Sequence, residues 1–491
     1  GQLSHTITSL GGSSSFDNNT SLNASLVTDD HRAGLYIFGQ NRYRSGYDYD
    51  GDGFTELPKL KNQTVGFRSY LKTSTYSKLT FEYHHMQEFR RGGDMLNRPP
   101  HEAHIAEQLQ HSIDGGSLKF DYFSPDEKNR LSVFASAANT DRDSYYGPGN
   151  DPLKAYGKTT DLTAMGGAQY VHTFDKCFFM PSDLTAGLEY NRDRLKDNMW
   201  GYNRHTDQTV NIYSAFLQNE WKNDRWGILI GGRLDKHNMV DNVIFSPRAN
   251  LRFNPTQNIN LRLSYSSGFR APQAFDEDMH IENVGGTVAM IERAKNLKEE
   301  KSQSFSASAD MYHRFGVFQT NFLIEGFYTR LTDVFVLGEP YDRGDGILVK
   351  TRSNGPGAKV MGLTLEGKVA YLSILQIQAG LTLQRSRYDE PHKWHDDAPA
   401  EKKIFRTPDT YGYFTATYTP IKPLSIALSG TYTGRMLVQR MDITAENAEL
   451  GAMPERKAEA IRTPRFFDLG VKLAYDFKLY KTVDLQAMLS R

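Results

Sequence analysis

The chain has 491 residues, and its 58 Lys and Arg balance 58 Asp and Glu, so the net charge of +0 gives no sign of a nucleic-acid partner. Mean hydropathy is -0.58, and no stretch approaches the 18 or more apolar residues of a membrane-crossing helix, which excludes a helical membrane protein. A single cysteine, Cys177, excludes a disulfide framework and a cysteine-rich metal centre.

Short segments in which apolar and polar residues alternate recur along the whole chain. The alternation predicts strands over Gln2–Ser9, Phe16–Thr28 and Arg32–Arg44, then Asn62–Ser74 and Lys78–Arg90, then His111–Phe123 and Arg130–Thr140. Further strands are expected over Lys158–Phe174, Leu184–Arg194, Thr209–Trp221, Trp226–His237, Phe245–Phe253 and Asn258–Gly268. The second half continues with Ser302–Phe315, Val317–Arg330, Val360–Leu372, Ile374–Arg387, Arg406–Thr419, Pro423–Gly434, Phe466–Phe477 and Thr482–Arg491. That is roughly twenty-one strands, joined alternately by tight turns and long loops.

A period of two puts successive side chains on opposite faces of a strand. In Ile259-Asn260-Leu261-Arg262-Leu263-Ser264-Tyr265 one face is wholly apolar and the other wholly polar, too polar for a packed sandwich core. The fold class expected is all-β, a large antiparallel transmembrane barrel with lipid outside and water or a plug inside. Only alternate residues must then be apolar, so the low hydropathy is no obstacle. Aromatic residues at 12%, with 27 Tyr and 28 Phe, suit interfacial girdles. Bacterial single-chain barrels have even strand numbers, so the odd count leads us to expect one closing strand beyond Arg491. No basic and then apolar leader opens the chain, so a mature chain or a fragment is expected.

Several motifs go further than the alternation. Ser246-Pro247-Arg248-Ala249 is followed by Gly268-Phe269-Arg270-Ala271-Pro272, then by Asn296-Leu297-Lys298-Glu299-Glu300-Lys301-Ser302. Asn354-Gly355 and Gly357-Ala358-Lys359-Val360-Met361-Gly362-Leu363-Thr364-Leu365-Glu366 come after. In this order the motifs resemble those of TonB-dependent outer-membrane receptors of the siderophore and cobalamin type, with Glu299 where that family usually has Pro. The resemblance implies a 22-stranded barrel around a plug, here the barrel domain over residues 1–491 without its plug. It also implies uptake of a scarce metal complex, a ferric siderophore or cobalamin, powered by TonB acting through the plug. Haem receptors and passive porin-like barrels are the alternatives. The partners implied are a small-molecule metal complex, TonB, membrane lipid and a surface lipoprotein; the place is the bacterial outer membrane; no enzyme activity and no obligatory cofactor are implied.

Two groups of residues stand out as candidate sites. Asp48-Tyr49-Asp50-Gly51-Asp52-Gly53-Phe54-Thr55-Glu56 places carboxylates at alternate positions before a glycine, the first half of an oxygen-cage calcium loop. Lys59 occupies the twelfth position, where that pattern needs a bidentate Glu, so the competing reading is an Asp/Gly-rich loop tip. Asp48, Asp50, Asp52 and Glu56 are thus candidate calcium ligands. His280 lies in the loop after Gly268-Phe269-Arg270-Ala271-Pro272, where haem receptors of this type carry an axial His; the plainer reading is a solvated His among Asp276, Glu277, Asp278 and Glu282. His101 and His104 have the wrong spacing for a helical zinc site, and His84 and His85 face opposite sides of a strand. No Gly-x-Ser-x-Gly elbow or other nucleophile context is found. Glu366, Lys368, Gln376, Gln378 and Gln384 are expected to line the lumen.

Overall fold

A computed structural model describes residues 1–148, 155–279, 282–284, 287–394, 398–443 and 456–491. One sheet of 22 strands dominates it. One of these strands is the three-residue Glu401–Lys403, which flanks the outer end of Leu375–His392; the others are long and pair antiparallel with their chain neighbours. Every strand expected from the alternation is present.

The observed strands outrun the expected ones at the long-loop end. His111–Phe123 becomes Ile105–Phe123, Leu184–Arg194 becomes Met180–Met199, and Thr209–Trp221 becomes Arg204–Lys222. The extra residues include Lys196, Asp197 and Asn198, which pair in register with Asp207, Thr206 and His205. Above the hydrocarbon layer both faces of a strand meet polar surroundings. The backbone ladder continues there while the apolar alternation stops.

The lipid face follows from register. Leu261, Leu263 and Tyr265 lie opposite Phe253, Leu251 and Ala249 on one side and Ala309, Ala307 and Phe305 on the other. The neighbouring strand adds Ile324, Gly326 and Tyr328 to the same face. These rows form a continuous apolar band, and Leu263 keeps 55% of its surface open to the surroundings. In water such a band would be an association surface; in a bilayer it is the belt of a spanning barrel. The opposite face carries Arg262, Ser264, Ser306, Thr364 and Thr382, with Thr364 and Thr382 hydrogen-bonded at 3.0 Å.

Short turns and long loops segregate to opposite ends. Short links such as Gly316-Val317, with Gly316 at φ +57°, alternate with long ones such as 45–58, 271–299 and 434–465. By the rule for outer-membrane barrels the long loops are external. Two of them, read from sequence as loops, carry a sheet of their own: Glu282–Val284, Thr287–Arg293, Leu348–Asn354 and Phe335–Asp342, with one parallel pairing from Ala289–Leu348 to Arg293–Arg352. A third forms the hairpin Leu437–Ile443 with Arg456–Arg462. Among the described residues, Gln2–Ser9 pairs only with Phe16–Val27, and Val483–Ser490 only with Phe466–Tyr480. These two edges run in the same direction.

Candidate functional site at the loop end of the lumen

Charged side chains from distant parts of the chain converge inside the external end of the barrel. Asp197, on Met180–Met199, is 1% exposed and accepts a hydrogen bond from Thr159 Oγ1 at 2.7 Å. Arg204 Nη2 lies 2.9 Å from its Oδ2 and Arg142 Nη2 3.8 Å from its Oδ1. Arg204 also donates to the backbone oxygens of Met279, at 2.8 Å, and Asp278, at 3.3 Å. Arg352 lies 2.8 Å from Asp278 Oδ1, while Asp278 Oδ2 accepts from the Phe275 backbone at 2.9 Å. Arg293 donates to Pro272 O and to Gln208 Oε1, both at 2.9 Å, and Gln208 accepts again from the Ala274 backbone at 2.8 Å.

The segment that follows Gly268-Phe269-Arg270-Ala271-Pro272 is therefore pinned across the mouth by arginines rooted in the wall and in the loop sheet. Arg270 stacks over Phe275 at 4.0 Å and sits 5.4 Å from Phe335, which fixes the entry to this segment. Arg142, Arg204, Arg293 and Arg352 gather here around Asp197 and Asp278, and Arg142 also acts on Asp161, which is hydrogen-bonded to Asp193. Burial lowers the pKa of Arg293, with Asp278 opposing that effect, and the guanidinium stays charged throughout the physiological range. Guanidinium forks held in such a network suit planar, oxygen-bearing anionic partners. Beside it, Tyr145, Tyr146, Met199 and Tyr202 form a buried apolar cluster, with the Tyr202 hydroxyl donating to Tyr146 O at 2.5 Å.

The family-type motifs have a physical purpose here. The Asn354 side chain donates to Lys298 O at 3.1 Å and Asp333 O at 2.8 Å, and accepts from the Lys298 backbone at 2.8 Å. Glu300 Oε2 accepts from the Phe335 backbone at 2.8 Å. Asn354 and Lys298–Glu300 thus clamp the feet of two long loops together.

The sequence-predicted calcium ligands do come together. Asp48, Asp50, Asp52 and Glu56 each bring a carboxylate oxygen to within 4.8 Å of the others, the one such group among the described residues. The bridge between Tyr47 and Leu57 closes the loop, and Gly51 and Gly53 turn it at φ +81° and +93°. Asp48 accepts from Gly51 N at 2.7 Å and Gly53 N at 2.9 Å, Asp52 accepts from Phe54 N at 2.8 Å, and Glu56 from Tyr49 N. Glu56, at the ninth position, folds in where the pattern lacks its twelfth-position carboxylate. Backbone donors only partly offset four like charges so close together; a hard divalent cation fits this oxygen set.

His280 lies outside the described residues. Asp278, grouped from sequence with solvated loop acids, is instead buried against Arg352 because the loop folds inward. The other histidines do not share a site: His104 Nδ1 is 2.6 Å from Asp94, and His101 Nδ1 is 2.9 Å from the Tyr156 hydroxyl. His85 bonds Asp114 on the outer face at 2.9 Å, while the His84 ring lies against Gly115. The lumen-lining reading of Glu366, Lys368, Gln376, Gln378 and Gln384 agrees with register, which puts them on the face of Thr364 and Thr382, and Gln378 donates to the Tyr413 hydroxyl at 2.6 Å. Sequence reasoning missed Arg142, Arg204, Arg293 and Arg352. Charged residues at predicted strand ends beyond the apolar alternation were the signal available for the first two.

An antiparallel barrel with an outward apolar belt and one set of long loops defines a protein of the bacterial outer membrane. Residues 2–489 match the family model described as "TonB dependent receptor-like, beta-barrel". The chain belongs to the TonB-dependent receptor family, a family of transport receptors. Similar solved structures include the siderophore receptor PirA of Acinetobacter baumannii, with 14% identity, a TM-score of 0.76, and 99% of this chain and 75% of that one covered. A mutant of the ferric enterobactin receptor PfeA of Pseudomonas aeruginosa shows 14% identity and a TM-score of 0.75, covering 99% and 73%. The outer membrane transporter YddB of Escherichia coli shows 10% identity and a TM-score of 0.70, covering 95% and 70%. No curated protein sequence matches the chain.

Proposed function

We propose that this barrel takes up an anionic metal complex, a ferric siderophore in preference to cobalamin, driven by the TonB complex through a plug seated in the polar lumen. What supports this reading is the network at the loop end, where Arg142, Arg204, Arg293 and Arg352 converge from separate strands and loops on Asp197, Asp278 and Gln208. Ferric chelates built on catecholate or carboxylate oxygens present the negative, oxygen-rich surface that such guanidinium groups bind. Solved relatives named as siderophore receptors, one of them in complex with enterobactin, support the choice. The loop of Asp48, Asp50, Asp52 and Glu56 is proposed to bind calcium, which would hold the 45–58 loop in one conformation at the rim.

Uptake of radioactive iron presented as chelates of different chemistry, in cells carrying or lacking the intact gene, tests the reading. Loss of uptake for one class of anionic ferric chelate, with cobalamin and haem use unaffected, is the expected result. Uptake that persists without the energising complex would point to a passive barrel, and loss of cobalamin or haem use alone would overturn the siderophore assignment.

A further inference from the structure

The segment 271–279 crosses the loop end as a strap held by side chains. No strand pairs with it among the described residues. Its own backbone bonds run from Gln273 N to Ala271 O at 2.8 Å and from Asp278 N to Phe275 O at 2.9 Å. The ties to the wall and the loop sheet go through side chains. Arg293 donates to Pro272 O, His237 Nε2 lies 3.2 Å from Gln273 Oε1, Gln208 accepts from the Ala274 backbone, and Arg204 donates to the Asp278 and Met279 oxygens.

One tie is ionic. Asp278 Oδ1 lies 2.8 Å from Arg352 Nη2, with both residues buried, while Asp278 Oδ2 is taken by the Phe275 backbone. The guanidinium thus receives a planar, two-oxygen anion from its own chain. We infer that the Asp278 carboxylate holds on Arg352 the place of an oxygen anion of the ligand, and that binding displaces it and frees the strap. This rests on the reading of the loop end as the site for an anionic chelate. Arg352 is 5% exposed, so an anion reaches it only when the strap lifts. Lifting breaks a buried ion pair, which an incoming anion remakes and a neutral ligand cannot, since it leaves the guanidinium buried and uncompensated. Asp278 therefore sets a charge requirement. It also weakens binding, because only the fraction of molecules with the strap lifted is competent.

The test follows hydrogen exchange over 271–279 in the intact protein in neutral detergent, with glutarate as the probe anion and its neutral diamide as the control at matched ionic strength. Glutarate is expected to raise wild-type exchange about threefold and the diamide to leave it unchanged. Asp278→Asn keeps the shape and the bond from the Phe275 backbone but loses the charge, so the half-maximal effect should need about tenfold less glutarate. In Arg352→Ala, exchange should be fast with or without glutarate. A ferric tricatecholate, which is anionic, should bind Asp278→Asn about tenfold more tightly than the wild type. Wild-type exchange that ignores glutarate, an equal response to the diamide, or equal tricatecholate affinity of the wild type and Asp278→Asn would each overturn the inference. The wild-type response needs no substitution, so it decides the matter even where a variant does not fold. The expected glutarate response without any tricatecholate binding would support the inference and remove the siderophore reading.

Discussion

Leu381 offers a direct probe of which face meets lipid. It sits on Leu375–His392 with its side chain beside Leu365 and opposite Gly412, in the apolar band. Four residues separate it from Arg385 at the outer rim and six from Leu375 at the short-turn end. At about 3.3 Å per residue and a tilt near 40°, that puts it roughly 10 Å below the rim and roughly 15 Å above the lower edge, close to the bilayer centre. Leu381→Arg is therefore expected to cost about 2–4 kcal/mol, a roughly 30- to 700-fold change in the folding constant. Gln378→Arg, three residues away but facing the lumen, forfeits the hydrogen bond to Tyr413 and costs about 1 kcal/mol. The assay is denaturant unfolding in lipid vesicles, followed by the gel mobility difference between folded and unfolded barrel. Equal costs for the two substitutions, or a greater cost for Gln378→Arg, would refute the assignment of faces.

Replacing Asp48, Asp50 and Asp52 together by Ala should abolish calcium binding by calorimetry, with wild-type dissociation constants of about 0.1–1 mM; unchanged binding would dismiss the site. Asn354→Ala removes three hydrogen bonds to Lys298 and Asp333, so protease sensitivity should rise within 333–357 while the barrel stays intact, a local loss of about 2–3 kcal/mol. Arg352→Ala breaks a buried ion pair with Asp278, a change of about 3–5 kcal/mol at the site, and should speed hydrogen exchange over 271–279. Protection of 271–279 as strong as in the wild type would show that the arginine does not hold the segment.

The barrel was legible because lipid and lumen impose opposite demands on neighbouring residues. Leu261 and Arg262 could not both face the same solvent, and the twofold period of that strand records the fact. Where the strands rise beyond the bilayer the record fades: Asp197 reads like a loop residue, yet it lies in the ladder opposite Thr159 and Thr206. The carboxylates of 48–56 were readable because their chemistry is local, a matter of spacing within nine residues. The arginine mouth was not. Arg142, Arg204, Arg293 and Arg352 come together only through strand register and an inward-folded loop, and no local pattern announces that meeting. The loop sheet shows the same limit, since the parallel pairing of Thr287–Arg293 with Leu348–Asn354 joins segments from two different loops.

Site-directed thiol labelling tests the membrane-spanning arrangement most directly. In a Cys177→Ser background, Asp345→Cys in a long loop and Lys422→Cys in a short turn are exposed in cells to a reagent that cannot cross the outer membrane. Asp345→Cys is expected to react in intact cells and Lys422→Cys only after the membrane is opened. Reaction of both in intact cells, or of Lys422→Cys alone, would contradict it.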